Sequence, residues 1–133
     1  MSIQVYRAKA EDAEAVFELN ERFNGAGSNT LERIRASLET NNQEAVFLVK
    51  IGDRVAGFCC IQVFHSMCYS RHYAEITELF IDEGFRRQGV GTKLLRKVEE
   101  HFCQENIAGF QLFTGAKNLS AQMFYEHLGY QRT

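Results

Sequence analysis

The segment from Tyr73 to Thr114 constrains the fold more than any other part of this 133-residue chain. It reads as a strand (Tyr73–Asp82), a glycine-punctuated turn, an amphipathic helix from about Val90 to Phe102, and a second strand (Ile107–Thr114). Along the helix, Val90, Leu94, Leu95, Val98 and Phe102 fall on one face. A strand–helix–strand unit sets its two strands parallel through a right-handed crossover, because a right-twisted strand packs its helix back onto the sheet only in that sense. Ile107–Thr114 is apolar on both faces, the pattern of a covered parallel strand.

The rest of the chain is organised around that unit. Ile3 and Val5 alternate with Gln4 and Tyr6, which predicts a short first strand over 3–7. From Ala10 to about Phe23, Val16, Leu19 and Phe23 follow helical spacing, and acidic Glu11 and Asp12 suit a helix start. Gly25–Asn29 reads as a loop, and a second helix after Thr30 carries Leu31, Ile34 and Leu38 on one stripe. Ala45–Ile51 and Val55–Phe64 are β-rich runs joined by Gly52-Asp53, a hairpin signal. Residues 65–72 form a polar loop. The last helix spans Asn118–Leu128, with Ala121, Phe124, Tyr125 and Leu128 along a stripe and Gly129 as its stop, followed by a stub of strand at 130–133. The expected architecture is a single α/β domain over 1–133: a mixed, mostly antiparallel sheet with helices on both faces.

Composition closes several other routes. A chain of this size buries roughly two thirds of its unfolded surface and needs no disulfide or structural metal. No apolar run nears the ~18 residues of a membrane span, and Met1–Arg7 lacks a signal-peptide pattern. With 15 Lys+Arg against 17 Asp+Glu and a pI near 6.1, there is no basic field for nucleic acid or an acidic membrane; a cytoplasmic location is expected. Cys59, Cys60, Cys68 and Cys103 include no C-x-x-C pair and read as reduced thiols, mostly small core residues. His65, Cys68 and His72 have ligand-like spacing, but the segment is a loop with no fourth ligand, so no metal is expected.

The turn Glu83-Gly84-Phe85-Arg86-Arg87-Gln88-Gly89-Val90-Gly91-Thr92 is where chemistry concentrates. A glycine-rich turn entering a helix presents backbone N–H groups at the positive end of the helix dipole, a natural anion site. Gly84 and Gly89 have Walker A spacing, but Val90 stands where that loop needs lysine. Gly89-x-Gly91 lacks the third glycine of a dinucleotide fingerprint. What matches is R-x-x-G-x-G, Arg86-x-x-Gly89-x-Gly91.

With its flanks, Ala74 to Leu95 resembles motif A of the GNAT superfamily of N-acetyltransferases, and Asn118 to Tyr130 resembles that family's motif B. The opening strand and Ala10-Glu11-Asp12-Ala13 are similar to its first β-α unit, so the resemblance spans nearly the whole chain. It implies a GNAT-like sheet with a splayed central parallel strand pair that holds acetyl-CoA. It places cofactor contacts at Leu79, Phe80 and Ile81, at Arg86, Arg87, Gln88, Gly89, Val90, Gly91 and Thr92, and at Asn118 and Phe124.

Acetyl transfer needs a neutral amine, a donor for the oxyanion and an acid for the departing thiolate, whose pKa is about 8.5. Tyr125 stands where the resemblance implies that acid; by spacing alone it is also an aromatic of the packed stripe. For the base, simple alternation puts Glu75, Thr77, Leu79 and Ile81 on one strand face and Glu78 on the other. Glu75 lines up with the glutamate of the histone-acetylating branch, whereas a bulge would bring Glu78 inward. Both are equally readable as surface carboxylates beside Arg71 or Arg7.

The resemblance therefore implies an acetyl-CoA-dependent N-acetyltransferase that acts on a primary amine, with a small-molecule acceptor, by direct attack through a tetrahedral intermediate. The alternatives are a protein N-terminus or lysine as acceptor, or a non-catalytic acyl-CoA-binding module. Family members usually continue past the Gly129-Tyr130 region into a further strand, so an open sheet edge covered by a homodimer is also expected.

Overall fold

A computed structural model describes residues 2–131. In chain order the elements are β1 (Ile3–Arg7), a 3-10 turn (Ala10–Asp12), α1 (Ala13–Asn24), α2 (Leu31–Thr40), β2 (Glu44–Ile51) and β3 (Arg54–Phe64). There follow β4 (His72–Ile81), a second 3-10 turn (Glu83–Phe85), α3 (Val90–Cys103), β5 (Ile107–Leu112) and α4 (Leu119–His127). The helix start expected at Ala10 is a tight turn first, held where the Asp12 carboxylate accepts the Lys9 N–H at 2.8 Å. Thr30 caps α2 by accepting from the Arg33 amide. The stub expected at 130–133 forms no strand at Tyr130 or Gln131, and its last two residues lie outside the described residues.

The strands lie side by side in the order β1-β2-β3-β4-β5, every neighbouring pair antiparallel except the parallel β4–β5. Helices cover both faces. Against α3 and α4 pack Phe47, Val49, Cys59, Ile61, Ala74 and Ile76; against α1 and α2 pack Val46, Leu48, Phe58 and Phe80. The stripe Val90, Leu94, Leu95, Val98 and Phe102 of α3 is wholly buried.

Two local features depart from the sequence reading. Strand β5 ends at Leu112, not Thr114, and only one of its faces is covered: Ile107, Phe110 and Leu112 pack toward α3, while Ala108 and Gln111 are exposed. Among the described residues no strand pairs with its outer edge. The second departs from simple alternation alone: β4 carries the bulge that the sequence reading allowed for. Cys60 pairs with Glu78 and Ile61 with Ile76, leaving Thr77 as the extra residue, its hydroxyl donating to Cys60 O at 3.3 Å. Parity therefore flips: Ala74 and Ile76, then Leu79 and Ile81, all face α3, while Phe80 faces α1. Glu75 and Glu78 thus share the α1–α2 face of the sheet, where simple alternation set them on opposite sides.

Candidate active site

The site begins where β4 and β5 part. They pair only from His72 to Ile76 against Ile107 to Leu112, so the C-terminal half of β4 has no neighbour on that side. The Asp82 N–H donates to Ala56 O on β3 at 2.7 Å. Alternation then turns the Leu79 and Ile81 peptide groups away from β3 and into the opening. A cavity of about 700 Å³ occupies it.

The turn into α3 forms one wall. Arg87, at φ 63, and Gly89, at φ 76, are both left-handed, a conformation that gathers successive N–H groups onto one concave side. The first-turn amides of Val90, Gly91 and Thr92 have no intrahelical acceptor by helix geometry and point the same way. Arg86 is braced: its Nε donates to Ile81 O at 2.8 Å, and its guanidinium lies 5.7 Å from the centre of the Phe80 ring. Gly91 faces Phe124 of α4 and Ile81 of β4, where a Cβ would make ordinary contacts at 3.5 and 3.6 Å. An anion-binding turn opening into a mostly apolar channel fits a phosphorylated cofactor with a long thin arm.

Helix α4 forms the other wall. Asn118 caps it, its Oδ1 accepting the Ala121 N–H at 3.1 Å, which leaves Nδ2 as a donor beside the cavity. Phe124 and Tyr125 both reach the lining. Burial, with a smaller contribution from Cys59, pushes the Tyr125 phenol up to about 12. Tyr125 also borders a second cavity, about 760 Å³, between β5 and the end of α4.

Of the residues singled out from sequence, Leu79, Phe80, Ile81, Arg86, Arg87, Gly89, Val90, Gly91, Thr92, Asn118, Phe124 and Tyr125 converge on the first cavity. Gln88 does not; its side chain turns back to Gly84 O at 3.4 Å. Glu75 and Glu78 line neither cavity. Glu75 accepts from Gln111 at 3.4 Å, and burial raises the Glu78 carboxyl above its ordinary value. Arg71 donates to Ile107 O instead of pairing with either glutamate. Phe23, Phe85, Ser120 and Ala121 also line the cavity and were not named as site residues; Phe23 enters it from the end of α1 and packs on Phe80 at 5.0 Å. Its spacing announced only a buried stripe. The salt bridge between Arg22 and Asp82 ties that end of α1 to the end of β4.

The remaining candidates stand apart from this site. The His65 and His72 rings stack with centroids 3.8 Å apart, while the Cys68 thiol turns to Met67. Among the described residues no group of three or more His, Cys, Asp or Glu is gathered as metal ligands would be. All four cysteines are free, but Cys68 and Cys103 are exposed rather than part of the core. Among the described residues, no helix is long and apolar enough to cross a membrane.

Comparison with known proteins agrees with this geometry. The model of the acetyltransferase (GNAT) family matches residues 13–130. An uncharacterized N-acetyltransferase of Methanocaldococcus jannaschii is 30% identical over 95 residues, which cover 71% of this chain and 42% of that protein. N-alpha-acetyltransferase 30 of Homo sapiens is 31% identical over 93 residues, covering 69% of this chain and 25% of that protein. The matched stretch thus covers less than half the length of either relative. Among solved structures, an aminoglycoside acetyltransferase from an uncultured soil metagenomic sample superposes with a TM-score of 0.84 at 17% identity, covering 98% of this chain and 91% of that one. A cleft between diverging parallel strands, closed by a glycine turn and a tyrosine-bearing helix, together with a family match across most of the chain, places this protein in the GNAT family of acetyltransferases.

Proposed function

We propose that this chain, acting as one domain, is an N-acetyltransferase that moves the acetyl group of acetyl-CoA to a primary amine of a small molecule. The observation that carries this is the cavity that runs from the left-handed Arg87–Gly89 turn, past the stretch of β4 at Leu79 and Ile81 that β5 leaves unpaired, to Tyr125. In this reading the turn amides and Arg87 hold the pyrophosphate, and the β4 edge and Asn118 hydrogen-bond the pantetheine arm. The Leu79 N–H faces the acyl carbonyl, where a donor stabilises charge as it develops during direct attack and a tetrahedral intermediate. Tyr125, kept protonated by burial, delivers a proton to the departing thiolate.

The base acts from the α1–α2 face, through water, since neither glutamate reaches the cavity wall. We assign it to Glu78, which the Thr77 bulge brings to that face and whose raised carboxyl suits proton uptake. A second reading is favoured by the N-alpha-acetyltransferase relatives: a protein N-terminal amine as acceptor. An α-amine, with pKa about 7.7–8.0, gives up its proton at pH 7 for about 1 kcal/mol, against about 4–5 for a lysine-like amine. A remote base suits the former.

The test is calorimetric titration with acetyl-CoA, desulfo-CoA and ATP, followed by thiol release with a panel of aminoglycosides, polyamines and free-amino-terminus peptides. Micromolar acetyl-CoA binding, little response to ATP and turnover on one acceptor class are expected. An absence of acetyl-CoA binding would sink the proposal.

A further inference from the structure

Helix α4 carries Tyr125, yet none of its residues from Leu119 to His127 is fully buried. A helix this short is not stable alone, so its position depends on what grips its ends. The grip at the C-terminal end is specific. Gly129 takes φ 101; its N–H donates to Glu126 O at 3.0 Å, and the Tyr130 N–H reaches back to Tyr125 O at 3.0 Å. These are the two bonds of a Schellman motif, which sets the second residue beyond the cap against the third from the helix end. Here those two residues are Tyr130 and Tyr125, their rings edge to face with centroids 5.8 Å apart.

Tyr130 is itself held from outside. Its hydroxyl donates to Glu99 Oε2 at 2.6 Å, Arg96 Nη1 donates to Glu99 Oε1 at 2.8 Å, and Arg96 Nη2 donates to Leu128 O at 2.8 Å. Arg96 and Glu99, one turn apart on α3, therefore clasp α4 at its last carbonyl and at the phenol that packs on Tyr125. Helix capping alone would need only the Arg96 bond. The Glu99–Tyr130 bond fixes a ring that packs on Tyr125, the residue that lines both cavities.

We propose that Glu99 and Tyr130 are positioning residues for Tyr125, holding its phenol aimed at the leaving thiolate while touching neither substrate. This rests on the reading of Tyr125 as the acid. Tyr130→Phe removes one hydroxyl and keeps the ring; Glu99→Gln keeps an acceptor oxygen but removes the charge. Both are compared with Tyr125→Phe at a temperature where circular dichroism shows every variant folded.

Two measurements decide. The first is NMR of protein labelled at tyrosine Cζ, whose five tyrosines are few enough to assign Tyr125 by its absence in Tyr125→Phe. Its resonance should shift or split in Tyr130→Phe and Glu99→Gln. The second is thiol release with the acceptor found above. Tyr130→Phe should lower kcat about tenfold, the scale of a misaimed catalytic group, with acetyl-CoA KM within about twofold. Adding it to Tyr125→Phe should cost nothing further, because there is no phenol left to aim. An unmoved Tyr125 resonance, or full kcat in Tyr130→Phe beside an impaired Tyr125→Phe, overturns the positioning role and leaves the acid role standing. Full kcat in Tyr125→Phe itself overturns both.

Discussion

Tyr125 and Glu78 show burial acting on ionisable groups from the two sides of the sheet. A tyrosine ordinarily ionises near 10, and burial holds Tyr125 to about 12. The fold prefers the neutral phenol, so that contribution to stability is whole below pH 10 and is lost as pH rises from about 10 to 12. Urea midpoints measured from pH 9 upward should fall through that window, and less steeply in Tyr125→Phe. Tyr130, raised by burial and by its bond to Glu99, adds to the same loss. For Glu78 the prediction concerns rate. Burial raises its carboxyl above the ordinary value, so in the role proposed for it activity should decline as falling pH protonates it. Glu78→Gln should lower kcat/KM and flatten that acidic limb, whereas Glu75→Gln should keep it; the reverse would return the base to Glu75. The Arg86–Thr92 turn stood out in the sequence because its arginines and glycines sit at fixed spacings, whereas Tyr125 was singled out only through the resemblance of Asn118–Tyr130 to the family's motif B. Phe23 did not stand out, since a cavity-lining aromatic and a core aromatic have the same helical spacing.

The β4 strand explains both what a linear pattern conveys and what it hides. Alternation located the strand, but the extra residue at Thr77 reverses parity halfway along, and no residue type marks a bulge. That single irregularity decides which face Glu78 occupies. The close approach of β3 to β4 was equally silent: a Cβ at Gly57 would lie 2.3 Å from Phe80 O and 2.7 Å from Ile81 Cδ1. Both contacts belong to the part of β4 that lines the cleft. Gly57→Ala must therefore push the strands apart and is expected to lower stability by about 1–3 kcal/mol, as overpacking does, while weakening acetyl-CoA binding. Thermal unfolding and calorimetry on that one variant check both effects, and an unchanged midpoint would show that β4 yields without cost. The crossover itself was readable from Tyr73–Thr114 because a helix between strands admits one hand. The half-bare face of β5 was not, because an apolar run looks the same covered or uncovered.

Taken whole, the molecule buries its core on both faces of the sheet but leaves β5 paired on one side only among the described residues. The free side presents a row of peptide groups, an arrangement that invites another strand. Exposed apolar side chains follow β5 and stand on α4: Phe113 is 80% exposed, and Leu119 and Met123 are 65% and 70% exposed. The second cavity lies along this edge, with Phe113 and Tyr125 both in its lining. We propose that a second copy covers the edge, which would close the outer side of the active site as well as the sheet. Sedimentation equilibrium across micromolar concentrations should then report a dimer, and Phe113→Glu, which sets a charge in that apolar lining, should weaken association at least about tenfold. If the two share one surface, thiol release should also rise with protein concentration in step with the dimer fraction. A monomer at every concentration would remove the dimer; a dimer indifferent to Phe113→Glu would move the interface away from β5 and leave Tyr125 facing solvent on that side.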